Sequence, residues 1–232
     1  LEFLTKSIPA GRRVLIKGRP GVGKSDIVAQ ACAAVGAECI VMHPAISDPT
    51  DYKGMPALTA GGVEAPFLPF GDLSRLVKAT VRTVAFLDDI GQAAPAVQAA
   101  LMQLVLARSV NGTKISPTVT FVGATNDTGH CAGVSGMIEP LKSRWDTIVS
   151  LDFSVDDWSL WGLSNGMPGE LVAYARNYPD AISPSDWKPS KEIRPTACPR
   201  TWASVGAWLN QGVDDHEILA GAVGEAEAIR FG

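Results

Sequence analysis

A glycine-rich stretch near the start of the chain ends in a lysine and a serine. Its residues are, in order, Gly18, Arg19, Pro20, Gly21, Val22, Gly23, Lys24 and Ser25. They fit the pattern G-x-x-x-x-G-K-[ST], in which backbone N–H groups surround phosphate oxygens and the lysine reaches the β- and γ-phosphates. The hydroxyl at the last position ligates magnesium, and the following helix directs its positive dipole end at the phosphates. This glycine-rich loop (residues 18–25), with the adjacent Asp26, predicts a nucleoside triphosphate site that uses Mg²⁺.

Two adjacent carboxylates follow a short apolar run. Residues 84–87 form the run, and Asp88 and Asp89 come directly after it. Phosphoryl transfer needs an acidic group at the end of a second strand, so we expect Asp88 to hold magnesium, directly or through water. Asp89 is expected to face the attacking water as a general base or an orienting group. The alternative is a solvated aspartate pair that closes a strand.

Asn126 follows another apolar run, residues 119–125. In an open parallel sheet, ligands gather at the carboxyl ends of the strands. If this run is a strand beside the glycine-rich loop, the amide of Asn126 is placed to hold the attacking water against the γ-phosphate. The alternative is a polar residue that ends a strand without a catalytic role.

These groups can meet only if the chain forms an α/β sheet. Apolar, β-branched runs predict strands over residues 12–18, 38–42, 82–87, 118–124 and 147–151. Apolar residues at helical spacing predict a helix over residues 25–35, directly after the glycine-rich loop. Short strands separated by loops and helical segments are typical of a mostly parallel sheet with helices on both faces.

Two hairpins are predicted to protrude from this sheet. Residues 48–71 are rich in glycine and proline and contain Gly61-Gly62 between apolar flanks, which favours a hairpin inserted into a helix. Residues 109–114 contain Asn111-Gly112, the pair that supplies the positive φ angles of a tight type I′ turn. Tyr52, Phe67 and Phe70, near the first hairpin, either grip a threaded polypeptide or are buried against the sheet.

The chain changes character after about residue 153. Five of the six tryptophans lie there, namely Trp158, Trp161, Trp187, Trp202 and Trp208. Short helices are indicated by Ser154, which can cap a helix through Asp157, by Pro179, which ends another, and by apolar spacing over residues 200–209. We expect a small helical domain with the tryptophans as its core, because burial of so large a ring stabilises a small bundle.

The composition excludes several classes of protein. Apolar residues make up 46% of the 232 residues and charged residues 19%, which is too apolar for a disordered chain. The apolar runs are too interrupted for a membrane span, so a soluble protein without a membrane partner is expected. The net charge of −4 disfavours nucleic acid as a partner, since it provides no overall positive field.

The cysteines and the start of the chain bear on location. Four cysteines lie far apart without a C-x-x-C pair, at Cys32, Cys39, Cys131 and Cys198. They predict buried thiols in a reducing compartment. The chain begins with Leu1 and no charged-then-apolar leader follows, so we expect a cytoplasmic protein that lacks a few N-terminal residues.

The combination of motifs resembles the AAA+ ATPases, and within them the MoxR-like group. The matching words, in the family's order, are GRPGVGKS (18–25), FLDDIGQA (86–93), VGATND (122–127), LKSRWD (141–146) and PRTW (199–202). The resemblance implies a P-loop NTPase three-layer sandwich with a parallel sheet of order 5-1-4-3-2 and a small all-α lid. It places the nucleotide-binding core at residues 1–153 and the lid at 154–232. Residues 48–71 and the Asn111-Gly112 hairpin are similar to the helix-2 insert and pre-sensor hairpin of this group.

The resemblance also implies roles for two arginines. Arg144 looks like the finger that enters a neighbouring subunit's site and neutralises charge on the transferring phosphoryl group. Arg200 looks like the second sensor, which reports nucleotide from the lid. Without the resemblance, each would be interpreted as a surface salt-bridge partner. The family usually has Glu where this chain has Asp89, so we expect slow but real hydrolysis.

The function implied is that of an ATP hydrolase. The resemblance implies that ATP and Mg²⁺ bind in a homo-oligomeric ring of six subunits. Lid motion would then remodel or mature a protein client, in this family often beside a von Willebrand factor A-type domain protein. One alternative is a nucleic-acid motor or loader that sets Arg108 and Lys114 of the second hairpin on a phosphate backbone. Another is a switch that assembles on ATP and hardly turns over.

Overall fold

The computed structural model describes residues 1–58, 61–126, 136–188, 190 and 192–232. The first part of the chain contains, in order, α1 (Glu2–Ser7), β1 (Val14–Gly18), α2 (Lys24–Ala34), β2 (Glu38–Met42), α3 (Pro49–Lys53), β3 (Met55–Pro56), β4 (Phe67–Leu68), α4 (Gly71–Lys78), β5 (Thr83–Leu87), α5 (Pro95–Ala107), β6 (Ser109–Val110), β7 (Thr113–Lys114), β8 (Val119–Asn126), α6 (Glu139–Lys142) and β9 (Thr147–Leu151). The rest carries α7 (Val155–Ser164), α8 (Gly169–Asn177), α9 (Pro179–Ile182), α10 (Pro199–Asn210), α11 (His216–Val223) and α12 (Glu225–Phe231). Single 3₁₀ turns lie at Pro44–Ile46 and Ile90–Gln92.

The five long strands form one parallel sheet in the order β2-β5-β8-β1-β9. If these five strands alone are numbered 1 to 5 in chain order (β1, β2, β5, β8, β9), their order in the sheet, starting from β9, is 5-1-4-3-2. This confirms the predicted topology. β5 is buried at every position, as expected for a parallel strand covered by helices on both faces. Its register against β8 pairs Ala85 with Phe121 and Leu87 with Gly123, so β8 continues for three residues beyond the end of β5.

The chain divides into two compact units. The first comprises Leu1–Lys17 and Lys24–Ser150, and the second comprises Gly18–Gly23 and Leu151–Gly232. The core of the first unit includes buried side chains of the sheet, of α4 and of α5, among them Phe121, Leu76 and Leu101. The division into a nucleotide-binding core at 1–153 and a lid at 154–232 stays a prediction.

The second unit is helical, as predicted, but its core uses only part of the tryptophan set. Trp202 is fully buried and donates from Nε1 to the Ala181 carbonyl at 2.8 Å, and Trp158 is also buried. Trp161 and Trp187 are half-buried, and Trp208 is 41% exposed, so the prediction is wrong for Trp208. Helical periodicity places Trp208 six residues after Trp202, which puts it on a different face of α10.

Both predicted hairpins are present. β3 pairs antiparallel with β4 inside the 48–71 segment, between α3 and α4; Thr59 and Ala60 of its connection lie outside the described residues. β6 pairs antiparallel with β7, and the turn residues Asn111 and Gly112 have φ angles of 46° and 87°. Positive φ at both central positions confirms the expected turn chemistry.

The aromatic residues near the first hairpin have different environments. Tyr52 is buried, and this burial raises the pKa of its phenol to about 12. Phe67 and Phe70 are 41% and 36% exposed. Burial against the core therefore accounts for Tyr52 but not for the two phenylalanines.

The cysteines are less uniformly buried than predicted. Cys32 is buried, whereas Cys39 and Cys198 are half-buried and all three thiols are free. Cys131 lies outside the described residues. Hydrogen bonding by the neighbouring Cys39 thiol and burial raise the pKa of Cys32.

An ion pair fixes the start of β1 beside the start of β9. The Arg13 guanidinium donates to both carboxylate oxygens of Asp146, and the Arg13 backbone N–H donates to Oδ2 at 2.9 Å. These donors hold the pKa of Asp146 below its usual range. In the described part of the chain, no helix has the length and apolar character needed to cross a membrane.

Candidate active site

Lys24 and Asn126 are brought together by the sheet. Lys24, the seventh residue of the glycine-rich loop, is the first residue of α2, and its side chain is almost fully buried. Its Nζ donates to Oδ1 of Asn126 at 2.8 Å. Asn126 is the last residue of β8, so the strand runs two residues further than predicted before it reaches this contact. A buried ammonium held in place by an amide oxygen is poised to meet an anionic ligand.

Ser25 and Asp88 form a second pair at the same end of the sheet. The Ser25 hydroxyl donates to Oδ2 of Asp88 at 2.6 Å, and Oδ1 of Asp88 accepts from the Asp89 backbone N–H at 3.0 Å. Asp88 follows β5 directly, and its own N–H bonds to the Met42 carbonyl at the end of β2. Hydroxyl and carboxylate oxygens are the hard ligands that Mg²⁺ prefers, so the pair fits the predicted cation.

Asp89 stands in a strained conformation beside this pair. Its backbone is left-handed, with φ 52° and ψ 34°, and it begins the 3₁₀ turn Ile90–Gln92. A non-glycine residue adopts this conformation at a cost, and such strain is concentrated at functional sites. The Asn126 amide donates to Oδ1 of Asp89 at 3.4 Å, so one asparagine contacts both Lys24 and Asp89.

The 3₁₀ turn approaches the end of β8 closely. A Cβ at Gly91 would overlap the hydroxyl of Thr125, which precedes Asn126. Glycine at this position therefore permits the contact that keeps Asp89 near Asn126. Asp26, also predicted to bind the cofactor, lies exposed in the first turn of α2, where its charge favours the helix dipole.

Residues Gly18–Gly23 pack within the second unit. Gly21 and Gly23 have φ angles of 75° and 97°, a region that favours glycine. A Cβ at Gly21 would lie 2.7 Å from Sγ of Cys198, so only glycine fits there. The Gly21 carbonyl accepts from the Arg200 backbone N–H at 3.2 Å, and the Arg19 guanidinium donates to the carbonyls of Pro184 and Ser185.

The second unit also contains a cavity of about 730 Å³ along this part of the loop. Residues 19–22, the start of α10 and the middle of α11 line it, together with the side chains of Trp187, Arg194 and Trp208. The exposed side chain of Arg200 reaches it from the first turn of α10. Among its lining residues, all of them described, none is acidic, so the cavity suits an anionic ligand.

Arg144 is half-buried against its own chain. Nε donates to the Met102 carbonyl of α5 at 3.1 Å, and Nη1 donates to the Pro140 carbonyl of α6. The guanidinium is thus held by backbone oxygens two residues after α6. The structure does not bring Arg144 together with Lys24, Ser25 or Asp88 through any contact that it describes.

The Arg108 guanidinium is bonded within its own chain, which disfavours contact with an external phosphate backbone. Its Nη2 donates to the carbonyls of Ser116 and Val119, at 2.9 and 2.7 Å, and burial lowers the pKa of the guanidinium. Of the two basic residues expected on the second hairpin, only Lys114 is exposed. The sequence could not reveal this, because the carbonyls that bind Arg108 lie eight and eleven residues away.

Gln98 is a polar residue near the site that the sequence motifs did not single out. It is fully buried on α5 and makes three hydrogen bonds to the backbone around the site. One signal was available: a glutamine three residues before Leu101 and seven before Val105 occupies the apolar face of a helix, where a polar side chain requires partners. Its partners lie up to 40 residues from Gln98 along the chain.

Solved structures with a similar fold include RuvB from Thermotoga maritima, described as a Holliday junction branch migration motor. It has a TM-score of 0.58 and 17% identity, and the match covers 99% of this chain and 66% of RuvB. A mutant of the same RuvB has a TM-score of 0.60 with 17% identity and the same coverage. The chain thus spans just under two thirds of the length of these proteins. No curated protein matches it in sequence.

The family comparison agrees with this P-loop ATPase fold. The sequence pattern of the AAA domain, dynein-related subfamily (AAA_5), matches residues 13–145. This match covers more than half of the chain and includes the glycine-rich loop, Asp88, Asp89, Asn126 and Arg144. The chain therefore belongs to the AAA domain family in its dynein-related subfamily.

Proposed function

We propose that the chain is a MoxR-like AAA+ ATPase that binds and hydrolyses Mg-ATP in an oligomeric ring and thereby remodels or matures a protein partner. The observation that carries the ATPase part is the pair of contacts at one end of the sheet, Ser25 to Asp88 and Lys24 to Asn126. They combine two oxygen ligands for a cation with a buried ammonium and an amide.

The residues divide the catalytic work. Ser25 and Asp88 would hold Mg²⁺, which would neutralise charge on the phosphates. Lys24 exchanges its contact with Asn126 for the β- and γ-phosphates. Asn126 and Asp89, which already share a hydrogen bond, then orient the attacking water, and Asp89 accepts its proton. Because Asp89 is one methylene shorter than the usual Glu, turnover is slow.

Within the second unit, Gly18–Gly23 and Arg200 are the residues that contact the nucleotide in this proposal. Backbone N–H groups of Gly18–Gly23 meet phosphate oxygens, and the positive φ angles of Gly21 and Gly23 support such a concave backbone. Arg200, whose N–H already bonds to Gly21, senses the bound nucleotide. The absence of acidic side chains among the cavity's described lining supports a polyanionic ligand.

Arg144 acts in trans. Its described contacts are with the Met102 and Pro140 carbonyls of its own chain and not with Lys24, Ser25 or Asp88, so we assign it to the site of a neighbouring subunit. A ring of six subunits satisfies this requirement for every site at once. The hydrolysis rate per subunit should therefore depend on assembly.

The assignment to the MoxR-like group is supported by the two hairpins. β3-β4 interrupts the segment between α3 and α4, and β6-β7 directly follows α5, as the helix-2 insert and pre-sensor hairpin of that group would. The same assignment implies a protein client, a von Willebrand factor A-type domain protein as a partner, and a cytoplasmic location.

A nucleic-acid motor is the second candidate, favoured by the fold shared with RuvB. The internal contacts of Arg108 and the net charge of −4 weigh against it. DNA that raised ATP turnover, with an effect that fell steeply as salt increased, would favour this motor over a protein remodeller.

ATP-dependent assembly without phosphate release over hours would favour a switch.

The test is Mg²⁺-dependent phosphate release against protein concentration, with particle mass measured in parallel, for the wild type and Arg144→Ala. We expect turnover per subunit to rise as rings form and to collapse in the variant while ATP binding persists. Turnover that is independent of both concentration and Arg144 would contradict a ring-forming ATPase.

A further inference from the structure

Gln98 lies at the centre of a hydrogen-bonded link inside the first unit. A primary amide has two N–H donors and one carbonyl acceptor. Gln98 uses all of them: Nε2 donates to the carbonyls of Ala93 and Gly136 at 3.0 and 3.1 Å, and Oε1 accepts from the Ile138 N–H at 2.8 Å. The side chain is fully buried, so each of these bonds is made away from water.

The partners of Gln98 lie next to two parts of the proposed catalytic machinery. Ala93 ends the 3₁₀ turn that begins at Asp89. Ile138 is the N-cap of α6, whose C-terminal end leads to Arg144. One side chain therefore ties the segment after the carboxylates to the segment before the arginine.

The helix that carries Gln98 also holds Arg144 itself. The Met102 carbonyl, one helical turn after Gln98, accepts from Nε of Arg144. Both ends of the α6 segment are thus attached to α5, through the Gln98 amide at the start and the Met102 carbonyl at the end. Loss of any one of these bonds would leave a buried polar group unpaired, which is costly, so the contacts favour one arrangement of the two segments.

We propose that Gln98 is a positioning residue for ATP hydrolysis, which couples the Asp88-Asp89 segment of one subunit to the presentation of Arg144 to the next. The inference rests on the proposed function. An apolar side chain of the same length would fill the same space. What Gln98 adds to such a side chain is three directional hydrogen bonds, so its proposed role goes beyond packing.

The test compares Gln98→Met with Gln103→Met. Methionine keeps the length of the side chain but removes all three bonds, and Gln103 is exposed on the same helix. We expect Gln98→Met to lower kcat about tenfold or more, the scale of misplacing a catalytic group, with nucleotide Kd and particle mass unchanged. Gln103→Met should behave as the wild type. In the Arg144→Ala background, Gln98→Met should add little further loss, because both changes affect one step.

A second variant breaks the link from its other end. Ile138 has φ −63° and ψ 141°, which proline adopts, so Ile138→Pro removes the N–H that binds Gln98. Because the Ile138 side chain also packs against the core of the first unit, Ile138→Ala, which keeps the N–H, is its control. Ile138→Pro should reproduce the loss of kcat. If Gln98→Met does not fold, Ile138→Pro still tests the proposed role of the Gln98 contacts.

Three results would overturn the inference: wild-type kcat in both link variants, a loss that multiplies with that of Arg144→Ala, or a parallel loss of nucleotide binding. Failure of the proposed function is recognised separately. It is measured in proteins that carry no change at Gln98. An inactive wild type, or an Arg144→Ala variant as active as the wild type, would contradict the ATPase mechanism and therefore also the role of Gln98.

Discussion

The Ser25 hydroxyl and the Asp88 carboxylate lie 2.6 Å apart although they are 63 residues apart in sequence. α2 places the hydroxyl in its first turn, and the end of β5 places the carboxylate. The contact exists because β5 lies inside a parallel sheet whose strands all end at the same edge. It supplies two oxygen ligands in one position before any cation binds.

Ser25→Ala should weaken the binding of Mg²⁺ by the enzyme. The hydroxyl is lost while Asp88 and the fold remain, so we expect phosphate release to fall about a hundredfold, the effect of removing one preorganised electrostatic contact. Turnover against Mg²⁺ concentration measures it. Ser164→Ala, at an exposed serine at the end of α7, is the matched control. An unchanged magnesium titration would exclude Ser25 as a ligand.

Asp89→Asn should bind ATP normally and hydrolyse it about a hundredfold more slowly, because an amide cannot accept the proton of the attacking water. Nucleotide titration and single-turnover rates separate the two effects. Asp89→Glu restores the length usual in the family and should retain activity. If Asp89→Asn hydrolysed bound ATP at the wild-type rate, Asp89 would have no part in the chemical step.

Trp202→Ala should destabilise the helical unit by about 3–5 kcal/mol, since it removes a fully buried ring and its bond to the Ala181 carbonyl. Trp208→Ala, at the exposed position on the same helix, should cost about 1 kcal/mol or less. Urea unfolding followed by circular dichroism compares the two. Equal losses would mean that Trp208 contributes to the core as much as Trp202.

Asp146→Asn should reduce stability by about 1 kcal/mol near neutral pH, because it breaks the ion pair and charge-assisted bonds with Arg13. The pKa of Asp146 is lower in the folded chain than in the unfolded chain. Its contribution is therefore complete above the unfolded pKa of about 4 and is lost as pH falls through the folded value.

The pH series for this pair compares wild type and Asp146→Asn by urea unfolding. The difference in unfolding free energy should be largest near pH 7 and shrink below about pH 4. Asp214→Asn, at an exposed carboxylate with no hydrogen bond among those described, is the control. A difference that stayed constant down to low pH would show that ionisation of Asp146 does not stabilise the fold.

Much of the fold followed from local patterns. The strand runs, the helix after the glycine-rich loop and the Asn111-Gly112 turn are each determined within about ten residues, and all are present. The tryptophans were harder to predict. Composition indicated a tryptophan-rich core, but whether a ring is buried depends on which helix face meets a neighbour, and that separates Trp202 from Trp208.

The sequence by itself determined the residue types of the site and the sheet that gathers them, because a P-loop pattern and strand-end carboxylates carry their own geometry. Only the tertiary structure decided the pairings between distant residues. Asn126 contacts both Lys24 and Asp89, Arg108 binds carbonyls of its own chain, and Gln98 links three backbone groups. Side-chain hydrogen bonds act over about 3 Å, and which groups come that close depends on how the elements pack, which local patterns do not encode.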